Sequence, residues 1–168
     1  MRSVLNHSSF VGWDFSAASC IDGVWGAGAA SADVWSTCHN AGAQPDPWLS
    51  IVLQSTSYVS SVVIYNRGDC CQEHLGTYQV WVGGLSGDPT TLSGMSQCQP
   101  GDTLTAPPTG PGPYTVRCGL VGTVVTLLLP GDARNLMLDE VVAAGYAMAG
   151  PPVPPGLPSL SPAVPSPS

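Results

Sequence analysis

Residues 62–71 read Val-Val-Ile-Tyr-Asn-Arg-Gly-Asp-Cys-Cys. The run Val62–Tyr65 is β-branched and aromatic, the composition of a buried strand. It feeds a polar loop that ends in two adjacent cysteines, Cys70 and Cys71. Across a trans peptide two Cα atoms stand about 3.8 Å apart, closer than the roughly 4.4–6.8 Å of an ordinary disulfide. A bond between these two therefore strains the backbone, and such strain persists where a site uses it. The product is a stiff, apolar sulfur plate beside the Arg67 guanidinium. The other reading is that each cysteine bonds elsewhere, since connectivity does not follow from sequence.

Outward from this stretch, strand-like runs recur between turn signals: Trp48–Leu53, Val59–Tyr65, Thr77–Val82, Thr123–Leu129 and Leu136–Val142. Breakers separate them at Gln44-Pro45-Asp46-Pro47, Gly83-Gly84, Gly101-Asp102 and Pro130-Gly131-Asp132, and Thr105–Pro113 is too rich in Pro and Gly to be regular. The rhythm is all-β, and a β-sandwich or jelly roll fits it. In such folds the loops at one end do the binding, and Arg67–His74 is one of these loops. Val141–Met148 reads equally well as a helical turn or two. No internal repeat is present.

Of the 168 residues 43% are hydrophobic, enough for one core, expected over residues 1–148. Only 9% are charged, against 20 glycines and 17 prolines, a balance that suits short strands and many turns. Residues 149–168 form a Pro/Ser-rich tail that cannot build a core and is expected to be disordered and extended, either without a role or as a ligand for a proline-reading domain. There is no lysine; the cations are Arg2, Arg67, Arg117 and Arg134, and the net charge is −7. Phosphate-backbone binding lacks its usual cations, so nucleic acid is not an expected partner. Six cysteines in a small, turn-rich chain favour an oxidising compartment, and no zinc-ligand spacing competes with that reading. Met1–Phe10 has no apolar stretch long enough for a signal peptide and nowhere do about 18 apolar residues run together, so no membrane span is expected. The expectation is therefore a piece of a longer secreted, extracellular or cell-wall protein.

Taken in order, several segments resemble the F-type lectins, the fucolectin family, whose domain is a discoidin-like jelly roll of eight strands. Cys20-Ile21-Asp22-Gly23 is similar to that family's Ala-Ile-Asp-Gly turn, and Pro47-Trp48 with Ile51-Val52-Leu53 to its Pro-Trp-Trp-x-Val-Asp-Leu strand. Asn66–Cys71 with Glu73 resembles the hallmark Asn-Arg-Gly-Asp-Cys-Cys-x-Glu-Arg. Gly122–Pro130 and Leu136–Val141 resemble the closing strands. The likeness runs from about Ser8 to Ala143, and the family's amino-terminal strand has no counterpart in it, so the domain is expected to be truncated there.

The resemblance implies a sugar site of one histidine, one arginine and a second basic residue around a Cys70–Cys71 disulfide. An arginine fork donates to sugar hydroxyls, a neutral imidazole nitrogen accepts from one, and the sulfur plate packs on the ring. A fucose 6-methyl would fill a small apolar pocket. Arg67 falls on the arginine and Asp69 on the aspartate that braces the loop. The family's histidine falls on Asn40, with 26 residues between it and Arg67, and His39 is its neighbour. The second basic position is His74, a weaker donor than arginine because histidine is mostly neutral at pH 7. Either Asn40 meets the hydroxyl or a shifted loop brings His39 into place. Read without the family, Arg67 simply pairs with Asp69, and His39 and His74 are surface histidines. Arg67-Gly68-Asp69 also spells an integrin-type tripeptide, a short motif common by chance.

The resemblance also implies a structural Ca2+ held by Asp22, Glu140, the carbonyl of Cys38 and the hydroxyl of Thr37; calcium takes about six to eight oxygen ligands. It pairs Cys70 with Cys71 and Cys98 with Cys118. Its partner for Cys38 stands in the last strand, where this chain has Asp139, so Cys38 is expected to bond Cys20 instead, a closure worth roughly 3 kcal/mol on the loop-entropy argument. The functional expectation is a non-enzymatic carbohydrate-binding module for fucosylated glycans, multivalent through repeats or oligomers. The alternative is a structural or protein-interaction module of the same fold that has lost its sugar. Hydrolysis has no Gly-x-Ser-x-Gly elbow behind it.

Overall fold

The computed structural model describes residues 4–7, 17–25, 37–40, 42–106 and 109–149. Eight strands build it: β1 (Val4–His7), β2 (Cys38–His39), β3 (Trp48–Asn66), β4 (Thr77–Gly83), β5 (Ser96–Gln97), β6 (Leu104–Thr105), β7 (Tyr114–Leu128) and β8 (Met137–Ala147). Two short 3-10 turns, Ala17–Cys20 and Gln72–His74, accompany them. Every strand pairing is antiparallel. No helix among the described residues is long and apolar enough to cross a membrane.

The sequence runs at 48–53 and 59–65 are one strand. No Gly or Pro stands between Trp48 and Asn66, so nothing ends it; the exposed Gln54-Ser55-Thr56 link is absorbed as an irregularity between Val52 and Ser57. A second shift between Val59 and Ser61 resets the alternation, so that Val59 and Val62 both reach the core. β7 is longer than the run from Thr123 implied, because Gly119 and Gly122 punctuate a strand that already begins at Tyr114. Gly122 has a reason to be small: a Cβ there would strike the Gly83 carbonyl of β4. Val141–Met148 is not helical; β8 continues along β3 to Ala147, with Tyr58 opposite Tyr146.

Because β3 and β7 run through both halves, they carry two sheets. In one half β1, β3, β7 and β4 lie side by side, with β5 and β6 on β4; in the other β7, β3, β8 and β2 do so. The inward residues of the two halves form one core. Leu49, Ile51 and Leu53 from the first part of β3 cluster with Val62 and Ile64 from the second, and with Val80, Leu127, Leu138 and Val141. This is a β-sandwich jelly roll. β1 occupies the edge of β3, with Val4 opposite Val52, where the sequence reading expected no amino-terminal strand. The Pro/Ser-rich tail from residue 150 onward lies outside the described residues.

Three disulfides are present, Cys20–Cys38, Cys70–Cys71 and Cys98–Cys118. The first ties the Ala17–Cys20 turn to β2. The third fastens the segment after β5 to β7. The second lies in the loop that follows β3.

Candidate functional site

That loop is held by the last residue of β3. Asn66 is buried; its Nδ2 donates to Gln72 O at 2.9 Å and Gly110 O at 3.4 Å, and its Oδ1 accepts from Arg67 N at 2.9 Å. Its own N–H donates to Pro111 O at 2.8 Å, so one residue fastens both ends of the loop to the neighbouring chain. Cys71 adopts φ 62°, a left-handed conformation costly for a residue with a Cβ. From there the chain enters the Gln72–His74 turn, and His74 N donates to Cys71 O at 3.1 Å. The Cα atoms of Cys70 and Cys71 are 3.8 Å apart, and both residues are half-buried.

Arg67 leaves β3 toward solvent and closes a two-pronged contact on Asp69: Nε to Oδ1 at 2.6 Å and Nη2 to Oδ2 at 3.0 Å. The hydrogen bonds from Arg67 hold the Asp69 carboxyl down at about 2, and Arg67 is raised in return, with Asp139 adding to the pull. Asp139 is buried in β8, and a Cβ on Gly68 would sit 3.8 Å from its Oδ2.

Beside this loop is a cleft of about 180 Å³ lined by His39, Asn40, Gly42, His74, Asn135 and Met137. His39 and Met137 are cross-strand partners of β2 and β8. The Nδ1 of His39 lies 2.8 Å from the Asn40 carbonyl. A carbonyl only accepts, so Nδ1 carries the proton in that contact. His74 reaches the cleft from the turn, its Nδ1 2.8 Å from Met137 Sδ and its Nε2 3.8 Å from Glu73 Oε1. The structure thus brings His39 and His74 together. Asn40, the position that counting favoured for the hydroxyl partner, also lines the cleft, but its amide is engaged with the backbone: Oδ1 accepts from Leu136 N at 3.0 Å and Nδ2 donates to Arg134 O at 3.3 Å. Arg67 is not among the lining residues.

Arg134 is the residue that sequence reasoning missed. Its Nη1 donates to Thr77 Oγ1 at 2.8 Å and Pro130 O at 2.6 Å; its Nη2 donates to Leu75 O at 2.9 Å, Thr77 O at 3.1 Å and His74 O at 3.4 Å. Its backbone exchanges hydrogen bonds with Gln44. One guanidinium therefore joins the turn bearing His74, the start of β4 and the segment bearing Asn135. Burial lowers its pKa. No local signal marks it, because most of its acceptors lie 57–60 residues away.

The residues expected around calcium gather at the same end. Asp22 Oδ1 accepts from Val24 N at 2.8 Å, shaping the turn, and Glu140 Oε2 accepts from Gly23 N at 3.2 Å. The Cys20–Cys38 bond draws that turn to the start of β2. Burial pushes Glu140 up to about 7, with the Asp22 charge adding to the rise. Thr37 is buried, and its Oγ1 has no hydrogen-bond partner. A buried carboxylate that resists ionising and an orphan hydroxyl suit a hard cation. Among the described residues no three His, Cys, Asp or Glu side chains converge, so such an ion would also draw on carbonyls, that of Cys38 among them.

The family model described as "NedA-like, galactose-binding domain" matches residues 19–110. The chain belongs to that family. Fucolectin-5 of the eel Anguilla japonica is 31% identical over 109 residues, covering 62% of this chain and 53% of the eel protein. The chain thus spans about half the length of the curated relatives it matches. An F-lectin from the serum of the striped bass Morone saxatilis superposes with a TM-score of 0.72 at 28% identity, over 87% of this chain and 47% of that one. A fucose-binding module of Streptococcus pneumoniae shares the fold, with a TM-score of 0.67 at 19% identity over 86% of this chain and 94% of that one. These relatives are lectins and sugar-binding modules, and the likeness supports a domain of the F-type lectin kind.

Replacing Arg134 with Ala strands carbonyls on three segments, and urea unfolding should show a loss of about 3 kcal/mol. Arg134→Lys should recover only a minor part, since an ammonium lacks the fork. Glu140 gives a pH dependence in metal-free protein. The native carboxyl keeps its proton up to about 7, whereas an ordinary glutamate loses it near 4.5. The native state therefore binds the extra proton between those values; stability should fall as pH rises through the window and level off above it. Glu140→Gln should flatten that slope in thermal melts run with a chelator.

Proposed function

We propose that this F-type lectin domain binds glycans ending in fucose or a related sugar, as part of a secreted, extracellular or cell-wall protein. The observation that carries the reading is the meeting of His39 and His74, from β2 and the Gln72–His74 turn, in one cleft beside the Arg67 loop. His39 presents its imidazole to the cleft, where it would meet a sugar hydroxyl. Arg67 has five N–H groups, and Asp69 takes two, leaving donors for hydroxyls and the ring oxygen. Met137 and the Cys70–Cys71 plate supply apolar surface for a sugar's C–H face or methyl group. The relatives support the reading by kind: fucolectins by sequence, a fucose-binding module by fold.

A second reading has its own observation. Asp69 holds the Arg67 fork and Asn40 is turned to the backbone, as expected of a structural or protein-interaction module that has lost its sugar. We also propose a structural Ca2+ between the Asp22 turn and Glu140, with Thr37 Oγ1 and the Cys38 carbonyl as further ligands. A single lectin site binds weakly, so useful avidity would come from repeats or oligomers.

On a glycan array the disulfide-intact chain should bind fucosylated glycans, and Arg67→Ala should lower that binding by at least about tenfold, near 1.4 kcal/mol. No glycan bound by the wild type leaves the second reading. Millimolar calcium should raise the melting temperature of the wild type but not of Glu140→Ala. An unchanged wild-type melt removes the ion from the proposal.

A further inference from the structure

We propose that Trp25 and Tyr65 form a second contact surface for the same glycan, receiving the sugar next to the one in the cleft, so that the preferred ligand is a neutral oligosaccharide and not a single sugar. This rests on the carbohydrate-binding reading above. Trp25 is 51% exposed and stacks on half-buried Tyr65, with ring centroids 5.0 Å apart and planes 27° from parallel. Tyr65 covers one face of the indole. The other is open.

Scattered exposed apolar side chains are ordinary on proteins, but Trp25 is both fixed and well placed. It follows the Asp22–Val24 turn, which is closed by Asp22 Oδ1 on Val24 N, fastened to β8 by Gly23 N on Glu140, and anchored through the Cys20–Cys38 bond. Its ring is ordered before a ligand arrives, so little freedom is lost on binding. Tyr65 pairs with Glu140 in the β3–β8 register, while Ile64 and Leu138 point into the core. Alternation turns Tyr65 outward on β3 and Met137 outward on β8. Arg67 is two residues beyond Tyr65, and Met137 three residues before Glu140. At about 3.3 Å per residue the aromatic pair stands roughly 10 Å along β8 from Met137 in the cleft, within reach of the sugars that follow the one bound there.

The chemistry fits a sugar that carries no charge. The C–H face of a pyranose packs on a flat aromatic surface, and tryptophan offers the largest one with little rotamer entropy to lose. The chain carries a net charge of −7, so sialylated or sulfated units are disfavoured.

Titration calorimetry on the full chain with calcium present tests this, using methyl α-L-fucoside and a neutral trisaccharide that ends in the same fucose. The wild type should bind the trisaccharide about tenfold more tightly, a difference near 1.4 kcal/mol. Trp25→Ala should bring the trisaccharide down to the monosaccharide's affinity, and Trp25→Phe should keep most of the difference. If the wild type binds both ligands equally, or Trp25→Ala keeps the trisaccharide advantage, this second surface is overturned while the cleft stands. If Trp25→Ala weakens both ligands alike, Trp25 merely supports the cleft and the inference fails. If the wild type binds neither, the carbohydrate reading falls and takes this inference with it.

Discussion

The guanidinium of Arg134 holds the recognition end together. Its five hydrogen bonds reach Pro130, His74, Leu75 and Thr77, while its backbone pairs with Gln44 and its carbonyl receives the Asn40 amide. The cleft residues Asn40, His74 and Asn135 come from three segments far apart in sequence, and each is bonded to Arg134 or adjoins it. A planar, permanently charged fork suits this work, because it donates in several fixed directions without losing its proton when buried. Removing so many carbonyls from water with no donor would be costly. Arg67 has the opposite posture: its side chain, 12% exposed, makes one two-pronged contact, on Asp69, within its own loop.

The sandwich itself follows from β3 and β7. Because each passes through both layers, the two sheets cannot be assembled independently, and the irregularities at Ser57 and Ser61 fix how the alternation carries over from one layer to the next. Close approach does the rest. Gly145 is a case in point: a Cβ there would run into the Tyr58 carbonyl, so β8 lies against β3 only because that position has no side chain.

Much of the fold was legible in local pattern. Apolar runs at 48–53 and 77–82, and the run from 123 up to Leu128, fall within strands because hydrophobic alternation is a nearest-neighbour property. What could not be read were strand lengths, since a bulge lets a polar link stay in a strand and a glycine can mark close packing in place of an end. At the site, the loop of Asn66–Cys71 was legible as a contiguous motif. The engagement of the Asn40 amide was not, because it donates to Arg134 O and accepts from Leu136 N, more than ninety residues away. The same distance hid Arg134. Glu140 and Thr37 could be named from resemblance, but their burial belongs to packing alone.

β8 also gives the molecule a direction. It starts with Met137 in the cleft and runs antiparallel to β3 for 11 residues to Ala147, roughly 36 Å at about 3.3 Å per residue. Met148 N then closes on Thr56 O at 2.8 Å. Ala149 therefore stands at the pole opposite the histidines, separated from the cleft by the length of one strand.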